Sequence, residues 1–205
     1  MPTICAGIIL SGGLNSRMGG RNKAFLELNG RSFFDRILSV LEECFDQLLL
    51  VTKQPQFYAN QPISIVEDIL SLRTPLTGIH AGLVSMATDY GFVTSCDTPL
   101  LKTELVRLLV SEIDVDVDIV APASGSYFQP LCAVYSKRCI PYIEDRLERG
   151  DVKTDGMYDT LKVKRIPYEK LQVVDPKLES FFNINTPEDL KFANQAAQIR
   201  ERPHA

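Results

Sequence analysis

Apolar residues recur along the chain in short unbroken runs, and between the runs the hydrophobic positions switch to a spacing of three and four. Short runs bounded by polar or turn residues suit strands buried on both faces, and the pattern predicts them at 4–10, 47–52, 63–66, 92–96, 119–122, 131–135 and 163–166. Residues 32–44 place Phe33, Phe34, Ile37, Leu38 and Leu41 on one helical face, with Ser32 as N-cap and Asp35 three positions on. Residues 102–113 repeat that spacing through Leu105, Leu108 and Leu109. A third helix is expected to start at Thr74-Pro75, and a fourth to follow Ser136 and stop at Gly150. A fifth should follow Thr186-Pro187, with Glu188 and Asp189 complementing the dipole of its first turn. Strands alternating with helices predict an α/β fold, a Rossmann-like three-layer α/β/α sandwich with a mainly parallel sheet. No repeat or low-complexity linker divides the chain, and 205 residues fit one domain, residues 1–205. The polar segment 151–159 is expected to form a mobile loop.

Composition narrows the partners more than the fold. No apolar stretch approaches the roughly 20 residues a membrane span requires, and the first run leads into glycines without preceding basic residues, so it reads as a strand and not a signal peptide. A net charge of −4 provides no basic field for nucleic acid, so an anionic ligand must be small and held by local cations and backbone dipoles. Cys5, Cys44, Cys96, Cys132 and Cys139 are scattered and form no Cys-x-x-Cys pair, which predicts core thiols in a reducing cytoplasm. With His80 and His204 the only histidines, a Cys/His zinc site is not expected.

The chemistry gathers at strand ends. Leu10-Ser11-Gly12-Gly13-Leu14-Asn15-Ser16-Arg17-Met18-Gly19-Gly20-Arg21-Asn22-Lys23 joins the first strand to a glycine-rich loop carrying cations. Glycines let backbone N–H groups approach phosphate oxygens, and Arg17 and Lys23 add the charge the backbone lacks. Neither Gly-Lys-Ser/Thr nor Gly-x-Gly-x-x-Gly can be written here, so the loop is a polyphosphate cradle of a third kind. Ligands of open parallel sheets bind beyond the carboxyl ends of the strands. That rule selects Asp97, which ends the run 92–96, and Asp68, which ends Ile65-Val66-Glu67. Position alone also allows Asp97 as a turn former before Thr98-Pro99 and Asp68 as a helix cap.

The loop resembles the signature of the molybdenum cofactor guanylyltransferases, a branch of the nucleotidyltransferases. Cys96-Asp97-Thr98-Pro99 is similar to the segment where that family places its magnesium-binding Asp, and Asp68 to a nucleotide-contacting Asp. Pro75-Leu76-Thr77-Gly78 resembles the element that, with Leu10-Ser11-Gly12-Gly13, marks guanine use, and Asn183-Ile184-Asn185-Thr186-Pro187-Glu188-Asp189-Leu190 resembles a segment near the family's C-terminus. The resemblance spans nearly the whole chain, thinning over 137–179, and two positions depart from it: Thr74 stands where the family usually has Gly, and Lys53 near where it has Asn.

The resemblance implies a nucleotide-diphospho-sugar transferase type of fold and a Mg2+-dependent transfer of GMP from GTP to molybdenum-bound molybdopterin. Arg17, Lys23 and Asp97 would act in catalysis, with Asp97 holding the metal. Leu10, Ser11, Gly12, Gly13, Lys23, Asp68, Pro75, Leu76, Gly78 and Asp97 would line the nucleotide site. Gln129, in Gln129-Pro130-Leu131-Cys132, would serve the acceptor side with Asn183 and Asn185, two asparagines facing one way on an expected strand. Further partners implied are molybdoenzymes or their chaperones and a nucleotide-binding adaptor. The rival readings are a cytidylyl or sugar-phosphate nucleotidyltransferase and a noncatalytic GTP-binding module.

Overall fold

The computed structural model describes residues 5–12, 22–68, 70, 72 and 74–201, with only the backbone course at 155 and 195–201. At its centre β1 (Cys5–Ser11) runs parallel to β4 (Leu48–Thr52) on one edge and β6 (Tyr90–Ser95) on the other, and β5 (Ser64–Glu67) extends the sheet beyond β4. Past β6 lie β9 (Cys132–Ser136), β7 (Ile119–Ser124) and β10 (Val163–Pro167), giving the order β10-β7-β9-β6-β1-β4-β5. β9 is antiparallel to both its neighbours, and β8 (Tyr127–Phe128) folds back on β7. All seven predicted strands are present within two residues of their expected ends.

Their apolar runs follow from burial on both faces. Along β1, Cys5 and Ile9 enter one core with α1 (Phe33–Glu42) and α3 (Thr103–Ser111), while Ala6, Ile8 and Leu10 enter another with α2 (Pro75–Ser85) and α4 (Ile140–Glu148). This is the expected three-layer sandwich. α2 lies unusually close to the sheet: a Cβ at Gly82 would stand 2.8 Å from Ile8 Cγ2, and one at Gly78 3.3 Å from Leu10. The start of α2 is thereby held against the end of β1.

Several expectations need correction. Residues 182–185 form no strand, because both edges of β6 are already taken by β1 and β9; the segment meets the end of β6 instead through Ile184 N–H donating to the Asp97 carbonyl at 2.8 Å. The segment 151–159 is tied down: Met157 and Tyr158 are buried, Arg146 donates to Asp151 at 2.7 Å, and Thr74 Oγ1 donates to the Val152 carbonyl at 2.8 Å. Two small elements were not anticipated, the helix α5 (Tyr168–Leu171) and the hairpin of β2 (Glu27–Leu28) and β3 (Arg31–Ser32). Asn29 and Gly30 at the hairpin tip both have positive φ, 50° and 75°, which is the reason for an Asn-Gly pair there. The final helix, α6 (Pro187–Glu201), begins where expected.

Candidate active site

The carboxyl ends of β6, β1, β4 and β5 open on a cleft of about 380 Å³, within the rough 300–1,000 Å³ range of small-molecule sites. β1 contributes Leu10 and Ser11, with Gly12 beyond; Lys53 follows β4, Asp68 follows β5 and Asp97 follows β6. Thr74, Pro75 and Gly78 bring the start of α2 to the wall, and Asn22 and Lys23 close the near side. From Asp97 to Asp68 the cleft crosses three strand spacings, about 14 Å. A nucleotide can therefore lie across the sheet with its base and phosphates on different strands.

At the phosphate end, Asp97 Oδ1 is buried with no hydrogen-bond partner among the described residues. A buried carboxylate oxygen left unpaired is costly, so its natural complement is a cation arriving with the ligand. A hard oxygen donor fits magnesium, which takes one or two carboxylates together with phosphate oxygens and water. Among the described residues there is no group of three His, Cys, Asp or Glu able to hold a metal, so ligand oxygens and water would complete the shell. Burial, with the Asp97 charge second, pushes the neighbouring Cys96 thiol up to about 11, which keeps it protonated and unsuited to nucleophilic attack.

Lys23 borders the same end and donates to Asn185 Oδ1 at 2.6 Å. Asn185 is in turn fixed at the entry of α6, where Asp189 accepts from the Asn185 and Thr186 amides at 3.0 and 2.8 Å and its own amide donates to Thr186 Oγ1 at 3.1 Å. This reciprocal cap explains Thr-Pro-Glu-Asp, and its hydrogen bonds, the Asn185 amide first, hold the Asp189 carboxyl below its ordinary value. The C-terminal motif thus orients the ammonium that faces the cleft.

At the other end Asp68 accepts from Thr77 Oγ1 at 2.8 Å, from the Leu70 amide at 3.3 Å, and pairs with Lys53 at 3.7 Å. Lys53 also donates to the Leu70 and Leu72 carbonyls, so it staples the chain beyond Asp68. Thr74 caps α2 by accepting from the Leu76 amide while holding Val152. Both departures from the family pattern therefore have local structural work in this chain.

Of the residues expected in the nucleotide site, Leu10, Ser11, Gly12, Lys23, Asp68, Pro75, Gly78 and Asp97 meet in one cleft. Leu76 does not: it is fully buried in the core between α2 and the sheet, its side chain turned away by helical geometry. Gln129 donates to the Tyr168 hydroxyl at 2.9 Å and does not line the cleft, and Asn183 is exposed. Gly13 and Arg17 lie outside the described residues. Asn22 and Tyr58 were missed. Asn22 could have been found as the cap of the turn beginning at Lys23 (Lys23–Phe25), but Tyr58 reaches Ser11 across 47 residues and carries no local signal.

Residues 7–163 match the MobA-like NTP transferase domain. A molybdenum cofactor guanylyltransferase of Desulfosudis oleivorans is 40% identical over 190 residues, covering 93% of this chain and 94% of the relative. A probable molybdenum cofactor guanylyltransferase of Natranaerobius thermophilus is 34% identical, covering 92% and 94%. The crystal structure of molybdopterin-guanine dinucleotide biosynthesis protein A from Archaeoglobus fulgidus superposes with a TM-score of 0.84 at 27% identity, covering 95% of this chain and 99% of that one. Fold and cleft together are those of a nucleotidyltransferase. Within that class the chain belongs to the molybdenum cofactor guanylyltransferase family, among the MobA-like NTP transferases.

Proposed function

We propose that this protein transfers GMP from GTP to the phosphate of molybdenum-bound molybdopterin, with Mg2+, releasing pyrophosphate. The observation that carries the reading is the meeting of Lys23, the unpaired Asp97 oxygen and Asp68 in one cleft, in a chain 40% identical to a relative named for this reaction. An oxygen of the acceptor phosphate forms the new bond to the donor's α-phosphorus. The bond from that phosphorus to the β-phosphate bridge breaks, and pyrophosphate leaves with the electron pair. The acceptor is already anionic and needs no general base, consistent with His80 being bonded to Glu144 at 3.0 Å and absent from the cleft lining.

Asp97 would hold the magnesium, which when bound withdraws charge from the phosphates. Gly12 borders open space where a phosphate can approach the backbone, and the Lys23 ammonium, aimed by Asn185, offsets negative charge there. Arg17 and Gly13 belong to the same loop and are assigned to phosphate on the family resemblance. The Asp68 carboxylate is the proposed acceptor for guanine N–H donors. Acceptor recognition is assigned to the side of the cleft near Asn185 and Leu131. Free cysteines, four of the five buried, support the cytoplasm as its location, and molybdoenzymes or their chaperones are the proposed recipients of the product.

The test is pyrophosphate release from GTP, CTP, ATP or UTP with magnesium, with and without molybdopterin. Release only with GTP and molybdopterin is expected; GTP binding without release, or preference for CTP, would overturn the reading. In the same assay Lys23→Gln should lower turnover about 10- to 100-fold, the loss of one charge-assisted contact. Asn185→Ala should lower it less, because the ammonium remains and only its aim is lost.

A further inference from the structure

The two described ends of the glycine-rich loop, Ser11 and Asn22, meet at one phenol. Tyr58 OH lies 2.6 Å from Ser11 Oγ, and Asn22 Nδ2 donates to the same oxygen at 3.3 Å. Tyr58 comes from the short turn after β4 (Pro55–Tyr58), is completely buried, and its ring packs against Phe25 and Phe34 with centroids 5.1 and 5.3 Å away. The direction of the Asn22 bond follows from its second contact. Asn22 Oδ1 accepts from the Ala24 amide at 3.1 Å, which turns its NH2 group toward Tyr58. Between the phenol and Ser11 either hydroxyl can be the donor, and in both arrangements the same oxygen bonds Ser11 and Asn22 together. Burial pushes the phenol up to about 12, so the hydroxyl keeps its hydrogen through the physiological range.

We propose that Tyr58 is a positioning residue for triphosphate binding. Its hydroxyl fixes Ser11 and Asn22 relative to each other, and so holds Gly12 and Lys23, their neighbours, in register on the cleft wall. The inference rests on the reading of the cleft as a nucleoside triphosphate site. A ring alone would fill the same core volume. What the hydroxyl adds is a joint between two segments that no strand pairing connects, at the point where donor phosphates would arrive.

The experiment compares the protein with Tyr58→Phe, which keeps the ring and removes the joint. Amide hydrogen exchange over residues 10–12 and 22–24, GTP affinity by calorimetry with magnesium, and thermal midpoint are read together. Exchange at those amides should quicken about tenfold and GTP affinity fall about tenfold, with exchange in β4 and β6 unchanged. Ser11→Ala should reproduce both changes, and the double variant should add little to either, because both substitutions break one network. Unchanged exchange would overturn the proposal, as would exchange that quickens equally throughout the chain. If Tyr58→Phe does not fold, Ser11→Ala alone decides by the same exchange and affinity measurements. Exchange needs no turnover, so absence of pyrophosphate release by the unaltered protein would strike the functional reading and leave the joint still tested.

Discussion

Asp97→Ala should lower GTP-dependent pyrophosphate release by about 10²-fold or more, the range for loss of one charge-stabilising group, without lowering the thermal midpoint. The two halves of that expectation have one origin. Among the described residues Asp97 Oδ1 is buried with no hydrogen-bond partner, so alanine forfeits no bond at that oxygen. Its structural bond, the carbonyl accepting Ile184 N–H at 2.8 Å, belongs to the backbone and survives the substitution. A group that is costly in the folded state and retained at the cleft is one whose partner arrives with the substrate. Asp97→Asn tests the charge separately: the amide keeps the shape but loses the anion, so turnover should fall nearly as far and more magnesium should be needed for half-maximal rate. Turnover unchanged in either variant would refute the metal role, and a large fall in midpoint would make Asp97 structural.

Much of this arrangement was legible in the sequence, for a physical reason. The central strands are buried on both faces, so each appears as an uninterrupted apolar run, as in Ile8, Ile9 and Leu10, and their ends can be read without knowing their order. Their order could not be read, nor could the reversal of β9, because pairing depends on which connections cross the sheet. Strand-end residues such as Asp68 and Asp97 converge because parallel strands share one carboxyl edge. Leu76 lies off the cleft because consecutive residues of a helix do not share one surface: Pro75 and Gly78 take the cleft side and Leu76 points into the core. Asn183 is exposed on a segment without the strand expected to carry it. Gln129 spends its amide on Tyr168, a partner in a helix too short to be anticipated.

The largest stability loss is expected at a residue with no place in the cleft. Asp175 is fully buried, accepts from Lys102 Nζ at 2.6 Å and from the Ser180 amide at 2.8 Å, and Ser180 Oγ accepts from the Lys102 amide at 3.1 Å. Glu179 stands 3.8 Å from the same ammonium. The carboxylate thus ties the N-terminus of α3 to the turn that leads into Ile184 and Asn185. Asp175→Ala leaves an ammonium with only 20% side-chain exposure facing a weaker partner and strips the Ser180 amide of its acceptor. Removing one member of such a pair typically costs about 3–5 kcal/mol, which in a chain of this size lowers the thermal midpoint by roughly 6–20 °C. Asp175→Leu combined with Lys102→Met should recover much of that loss, since the penalty lies in the uncompensated charge and not in the pair's own attraction. A loss under about 1 kcal/mol for Asp175→Ala would show that the pair does not hold the turn. Because the turn precedes Asn185, which aims Lys23, the destabilised variant should also show weaker GTP binding at temperatures well below its midpoint, whereas the double replacement should raise midpoint and GTP affinity together, short of the unaltered protein by the Ser180 amide's lost acceptor.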